Sequence, residues 1–426
     1  MKTAIIGGGA AGFFAAICLK EQLPEMGVTI FEQKKRVLAK VEVSGGGRCN
    51  CTNTFASVVD LSAVYPRGHR LMKRLLKGFS HRDAYEWFQR HGVALTVQPD
   101  DCVFPASQDS HTIINCFVGA AHRLGIDVRT GTAVATPDEL SADYDFVVVA
   151  VGGLSRDVRH PLSAWLASHG HDIVAPVPSL FTLRIDMPQL QQLMGTVADD
   201  ATVMIPATSF HASGPLLITH WGVSGPAVLR LSSYAARYLA DNQYKARLAI
   251  NWTGCNEGEV LAELQRMGEV HQQKQLSSVA PFNLSGRLWG YLLERCLGEK
   301  ASARWGSLSC GVRERAGNEP GKRSQFRPVD ELGKKSRNRL VNILSGGDLY
   351  DIAGRAPFKD EFVTCGGVSL ASVNPSTLES RTVPHLFFAG EALDIDGITG
   401  GFNFQVAWTT AYTVAQAIAA KCQDCN

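Results

Sequence analysis

Residues Thr3–Leu23 read TAIIGGGAAGFFAAICLKEQL: a short run of small and β-branched residues, three glycines, then a stretch dominated by Ala, Phe, Ile and Leu. The pattern predicts a buried strand, a tight turn and a helix. Gly7, Gly9 and Gly12 take the G-x-G-x-x-G spacing. The first glycine permits the turn, the second lets the backbone approach a pyrophosphate, and the third lets helix and strand pack closely. Ala10 and Ala11 open the helix, whose unpaired N–H groups and partial positive charge favour an anion by about 0.3–1 kcal/mol. The motif alone is weak, because glycine-rich packing also produces it, but its context strengthens it. The next predicted strand, GVTIFEQ, ends in Glu32 and Gln33. Glu32 lies twenty residues past Gly12, where the dinucleotide fold places the carboxylate that takes the ribose hydroxyls. An acid there disfavours a 2′-phosphate, so the expected ligand is an ADP-containing dinucleotide, FAD or NAD.

At 426 residues the chain exceeds what one hydrophobic core usually supports, and two or three domains are expected. With 45% apolar and 19% charged residues the composition is that of an ordinary globular protein. The formal charge of +2 argues against a nucleic-acid or membrane surface built from bulk charge. A local exception runs from Arg313 to Arg339, nine cations against Glu314, Glu319, Asp330 and Glu331; it reads first as a solvated face and second as an RNA contact. Eleven cysteines, an odd count without regular spacing, fit reduced thiols in the cytoplasm better than a disulfide framework, and CQDC at Cys422–Cys425 reads as tail. The N-terminus imitates a leader. Thr3–Leu19, however, offers 17 uncharged residues with four glycines among them, short of the roughly 20 that a spanning helix needs.

A second glycine cluster, VSGGGRCNCTN at Val43–Asn53, admits three readings. Zinc at Cys49 and Cys51 would need two further ligands, and no nearby Cys-x-x-Cys or His-x-x-x-His provides them. A C-x-C disulfide is awkward, because bridged Cα atoms generally sit about 4.4–6.8 Å apart in a geometry that near neighbours seldom reach. An anion cradle remains. Gly45, Gly46 and Gly47 would expose successive N–H groups, Arg48 and the upstream Lys40 would add cations, and Ser44, Asn50, Thr52 and Asn53 would add short polar contacts. Cys49 reads as loop packing rather than as a nucleophilic thiol. Two such segments within the first 53 residues suit one long cofactor with a pyrophosphate and a reactive ring.

With these motifs in view the chain resembles a known family. The N-terminal G-x-G-x-x-G, then K…SGGGRCNxTN, then VTCGGVSLASVNPSTLESRTVPHLFFAGEALDIDGITGGFNFQVAW at Val363–Trp408, look like the bacterial FAD-dependent oxidoreductases grouped with aminoacetone oxidase, a NAD(P)/FAD-dependent oxidoreductase family. CVFPAS (Cys102–Ser107), DFVVVAVGGLS (Asp145–Ser155) and LLITHWGVSGPAVLRLS (Leu216–Ser232) extend the similarity over nearly the whole chain. The resemblance implies noncovalent FAD. It sets Gly390 and Glu391 at the position where a carboxylate accepts hydrogen bonds from the ribityl chain, and Gly400 and Gly401 where a helix N-terminus approaches the pyrimidine side of the flavin. Where similar flavoproteins carry A-T-G, this chain has Ala150, Val151 and Gly152, so a hydroxyl is lost and the turn kept. Asp394 and Asp396 read as loop caps. Val134, Asp396, Gly397, Phe402 and Asn403 complete the candidate cofactor-binding set; no catalytic residue and no metal ligand is assigned. No second G-x-G-x-x-G follows a strand, so NAD(P)H would enter only as a transient reductant at the flavin face.

The expected fold class is α/β: a discontinuous Rossmann-like FAD-binding domain, residues 1–178 and 364–426, with an inserted antiparallel β-barrel or sheet domain and a nested helical subdomain. The barrel or sheet would use residues 179–254 and 345–363, where SLFTLRIDM, ATVMIPA and KARLAINWTG have strand length, and the helices residues 255–344. His220 and Trp221 are candidates for a roof over the flavin, with turn stabilisation the plainer reading. The expected function is a cytoplasmic flavin oxidoreductase exchanging a hydride or electrons with a small organic substrate, with oxygen or NAD(P)H as second redox partner. The alternatives are a tRNA-modifying flavoprotein and a non-catalytic FAD-binding regulator.

Overall fold

Strand β1 (Lys2–Ile6) leads through the glycine turn into helix α1 (Ala10–Gln22), and β2 (Gly27–Glu32) returns parallel to β1, with Ile5 opposite Ile30. Three further strands, β3 (Asp127–Thr130), β4 (Phe146–Val149) and β5 (Leu386–Phe388), extend a five-stranded parallel sheet in the order β5-β4-β1-β2-β3. The central strands are continuous apolar runs because both faces of such a sheet are covered. The direction of strand addition reverses between β1 and β4. A crevice at the C-terminal ends of those two strands is where such sheets take ligands.

The computed structural model describes residues 1–157, 159–308, 334–356 and 363–424. The chain divides into one unit of Met1–Leu180 with Lys359–Asn426 and a second of Phe181–Phe358. In the first, α1 is buried from Ala11 to Leu19 and packs against the C-terminal helix α2 (Phe402–Asp424). Its Phe14 ring lies 4.7 Å from Trp87 and 5.2 Å from Trp408. A helix apolar on all sides is a core helix, which explains the absence of a polar stripe in the sequence. Among the described residues no helix is long and apolar enough to cross a membrane.

The second unit holds a seven-stranded antiparallel sheet whose end strands, Ser345–Ile352 and Gly354–Arg355, are separated only by Ala353. One bent stretch of chain therefore pairs with Ala246–Asn251 at one edge and Leu183–Arg184 at the other, curling the sheet toward closure. Helices Glu257–Val270, Gly286–Leu297 and Lys334–Leu344 share one apolar core with it, including Ile250, Trp252, Leu264, Trp289 and Leu340. Asn256 and Glu259 form a capping box at the first of these helices, and the Ser285 hydroxyl accepts from the Leu288 N–H at the second. His220 and Trp221 form the turn between His211–Thr219 and Gly222–Ser224, where the Trp221 carbonyl accepts from Ile185 N–H at 2.9 Å. Most of the Arg313–Arg339 run lies outside the described residues. On the described helix Lys334, Lys335 and Arg339 are exposed, but Arg337 is buried with Nη1 3.5 Å from the Leu308 carbonyl, so at that position the solvated-face reading fails. The aliphatic stem of an arginine can be buried while its head reaches a carbonyl.

Trp289 is fully buried, donates to the Leu276 carbonyl at 2.7 Å and stacks on Trp305 at 5.9 Å. Trp289→Ala is expected to destabilise the second unit by about 3–5 kcal/mol, read as a lower urea midpoint.

Candidate flavin site

Four strand ends meet at the topological switch. Gly7 follows β1 with φ +114°, and a Cβ there would lie 2.4 Å from the Ala150 carbonyl oxygen at the end of β4. A Cβ on Gly12 would lie 2.0 Å from the Gly7 oxygen, so helix and strand pack as closely as the motif requires. Gly9 differs: among the described residues nothing lies within 4 Å of a Cβ built on it, and it opens α1 without a side-chain cap. The first N–H groups of α1, including those of Ala10 and Ala11, thus face a cradle that a side chain would fill. At the end of β2, Glu32 accepts from the N–H groups of Gly8 at 2.9 Å and Lys34 at 2.8 Å, which leaves its carboxylate further acceptor capacity. Gly8 was missed by motif spacing; the unbroken Gly7–Gly9 triplet is the signal that could have found it. Gln33 is exposed, and Val134 is half-buried just beyond Thr132, whose N–H donates to the Glu32 carbonyl.

Gly45, Gly46 and Gly47 are all left-handed, with φ of +56°, +69° and +84°, and Cys49 follows at +60°. Three successive glycines are needed because other residues seldom adopt this region. The expected row of exposed N–H groups is corrected in part: Gly47 and Cys49 both donate to the Ser44 carbonyl at 3.0 Å, closing the loop on itself. Arg48 is not aimed outward as a free cation. Its Nε donates to the Gly45 carbonyl at 3.1 Å and its guanidinium lies 4.3 Å from the Phe104 ring centroid, bracing the loop. Ser44 donates back to the Val41 carbonyl at 2.8 Å. Cys49 is fully buried and desolvation pushes its thiol up to about 12 despite a hydrogen bond with Ser44. Cys51 is raised likewise by burial. Neither is poised as a nucleophile.

The loop is joined to the C-terminal segment. The Asn50 amide, oriented by its neighbours, accepts from Gly401 N–H at 3.1 Å and donates to the carbonyls of Thr52 at 2.9 Å and Val103 at 3.2 Å. Asn53 donates to the Gly400 carbonyl at 3.0 Å, and Trp408 donates to the Cys51 carbonyl at 2.7 Å. Thr52 is buried with its hydroxyl 2.6 Å from Gln405 Oε1, so it is a brace in the core rather than a polar contact in the cradle. A Cβ on Gly401 would lie 2.2 Å from the Thr52 oxygen. No side chain fits there.

The third glycine turn closes the set. Gly390, at the end of β5, has φ +69° and lies against the Ala11 methyl, and its N–H donates to Thr410 at 2.8 Å. Glu391 accepts from Thr364 N–H at 2.7 Å and from Lys40 Nζ at 2.9 Å, beside Gly152 and Gly153, while Val151 is half-buried next to them. Lys40, assigned to the glycine loop, thus reaches the carboxylate from the other chain end. Asp396 is not a loop cap. It is wholly buried and both its oxygens accept from Arg67, with Ser179 donating at 3.2 Å. Burial raises its carboxyl above the usual value, and Arg67 and Ser179 oppose that shift. Asn403 closes the loop before α2 by accepting from Gly397 N–H at 2.8 Å and donating to the Gly397 carbonyl at 2.9 Å. Phe402 is buried edge-on against Phe55 and Tyr65.

Residues 1–417 match the family described as HI0933-like protein Rossmann domain. The chain belongs to the HI0933-like family. It is 26% identical over 99% of both chains to a 3-dehydro-bile acid delta(4,6)-reductase of Clostridium scindens. It is 27% identical over 98% of both chains to a ribosomal RNA dihydrouridine synthase of Escherichia coli. Among solved structures, a 3-ketosteroid delta1-dehydrogenase from Sterolibacterium denitrificans aligns over 98% of this chain and 99% of its own at 9% identity, with a TM-score of 0.47. As an HI0933-like protein the chain is a flavin-dependent oxidoreductase with FAD as its cofactor.

The residues present fit FAD: an uncapped helix end behind Gly9, a carboxylate at the end of β2, and two further glycine turns beside Glu391 and Asn50. Gly9→Val is therefore expected to keep the apoprotein within about 1 kcal/mol of the parent, since nothing opposes the new side chain. It should nonetheless abolish FAD retention. Gly12→Ala should instead lower stability outright; urea melts with flavin absorbance distinguish the two. With a Cys49 thiol at about 12, only about one ten-thousandth is ionised at pH 8. Iodoacetamide should leave Cys49 unlabelled in the native protein at pH 8 and modify it once urea exposes it, checked by peptide mass spectrometry.

Proposed function

We propose that this HI0933-like protein is a reductase that saturates a carbon–carbon double bond conjugated to a carbonyl group, with NAD(P)H as the source of reducing equivalents. The observation that carries the flavin part of the reading is the meeting of Asn50 with Gly401 and of Lys40 with Glu391, which joins the glycine turns from both chain ends into one site. Bound FAD supplies hydride transfer. The chain's own residues hold and orient it: Gly9 and the start of α1 at the pyrophosphate, Glu32 at the adenosine ribose, Glu391 at the ribityl chain and the start of α2 at the ring. The partial positive charge of that helix end would favour an electron-rich group held there.

The reaction class is supported by the relatives' names. A delta(4,6)-reductase of a 3-dehydro-bile acid and a synthase of dihydrouridine share the saturation of a double bond next to a carbonyl. With a single dinucleotide motif in the sequence, a nicotinamide donor would bind transiently at the flavin face, reduce the flavin and leave.

A second reading, with an RNA base as substrate, is favoured by the excess of cations from Arg313 to Arg339 and by relatives named as ribosomal RNA dihydrouridine synthases. It reverses the expectation, drawn from bulk charge, that nucleic acid is not a partner. FAD-loaded protein, mixed anaerobically with NADH or NADPH, should lose its visible flavin band, and a 3-oxo-Δ4,6 bile acid or a uridine-rich ribosomal RNA fragment should restore it with gain of two hydrogens. Reduced flavin that no conjugated alkene reoxidises would overturn the proposal. For the RNA fragment, affinity that falls steeply with salt would mark a phosphate-contacting interface.

A further inference from the structure

We propose that Arg67, which no sequence motif singles out, is a positioning residue for the flavin ring, acting through Asp396 on the loop that enters α2. The proposal rests on the flavin reading of the site. Arg67 offers Nε to one Asp396 oxygen and Nη2 to the other, with its side chain 16% exposed and that of Asp396 fully buried. The two residues also form a backbone β-bridge. On either side, Ile398 N–H donates to the Val64 carbonyl at 2.9 Å and the Tyr65 hydroxyl donates to the Phe402 carbonyl at 3.2 Å. Gly68 presses on Ile395 so closely that a Cβ would lie 2.6 Å from it. Val64–Gly68 therefore grips residues 395–402 along their length, while Asn50 and Asn53 hold Gly401 and Gly400.

Position is the better account of this pair than stability. Buried ion pairs are often replaceable by apolar residues without loss, whereas a guanidinium fork fixes a carboxylate in distance and plane together. A methionine would fill the space, fix nothing and leave Asp396 buried without its guanidinium, so a lower urea midpoint is expected beside any change at the flavin. Lysine would keep the charge and lose the fork. Because the loop delivers the start of α2, any slack there moves its N–H groups relative to the ring and makes reduction harder.

The test compares Arg67→Met, Arg67→Lys and Ser179→Ala with the parent after FAD loading. It reads FAD affinity by fluorescence, midpoint potential by dye equilibration, the visible flavin band, and urea unfolding of each apoprotein. Arg67→Met is expected to loosen FAD by about tenfold or more, move the potential to more negative values and shift the band. Arg67→Lys should recover part of each change, and Ser179→Ala should show a smaller change of the same sign. A lowered urea midpoint in Arg67→Met with parental affinity, potential and spectrum would overturn the proposal and leave Arg67 a strut. If Arg67→Met does not fold, parental potentials in both Arg67→Lys and Ser179→Ala overturn it equally. A parent protein that takes up no FAD would sink the flavin reading and this proposal together; a parent flavoprotein whose variants are unchanged sinks this proposal alone.

Discussion

The hydrogen bonds from Gly401 N–H to the Asn50 amide oxygen and from Asn53 to the Gly400 carbonyl are the constraint on which the site depends. They join backbone positions 347 residues apart in the case of Asn53 and Gly400. The strand ends alone provide half of the proposed site: an uncapped helix N-terminus behind Gly9 and a carboxylate at Glu32. The other half exists only because the C-terminal helix begins against the Cys49–Asn53 segment. Gly401 has to be glycine for that approach, with the Thr52 carbonyl oxygen where its Cβ would be. Each neutral hydrogen bond contributes about 0.5–1.5 kcal/mol, so the junction is modest bond by bond. Its strength lies in the buried setting of Thr52, Gln405 and Trp408, where an unpaired polar atom would cost more than a pair gains.

What was legible in the sequence was whatever is encoded locally. Gly7, Gly9 and Gly12 sit within six residues, and at Gly7 and Gly12 the backbone meets the close approach that the spacing demands. Glu32 follows from the length of α1 and β2, and the apolar runs of β4 and β5 follow from burial on both faces. What was not legible depends on side-chain direction and distant partners. Thr52 and Asn53 are adjacent and equally polar, yet one hydroxyl points into the core at Gln405 and the other amide reaches Gly400. Arg67 lies in YPRGHR, which has no period and no motif, and its partner is 329 residues away. Arg337 belongs to a charge run and is buried all the same. Gly47 has the conformation expected of the cradle, but its N–H closes the loop. Residue type was sufficient for the backbone and insufficient for the donors.

The two ion pairs of the site differ in what they can do, and burial decides the difference. Lys40 meets Glu391 with its side chain 54% exposed, so water competes for both charges and the pair is worth little by itself. Such a contact can be exchanged, and Thr364 N–H still anchors Glu391 when Lys40 leaves it. Arg67 and Asp396 have no such freedom, because Asp396 is wholly buried and separating the pair would strand a charge in the interior. The exposed pair therefore leaves Lys40 and Glu391 free to rearrange, and the buried pair fixes the segment that carries Asp396. An exposed pair can exchange partners and a buried one cannot, so of the two only Arg67–Asp396 fixes the course of the chain into α2.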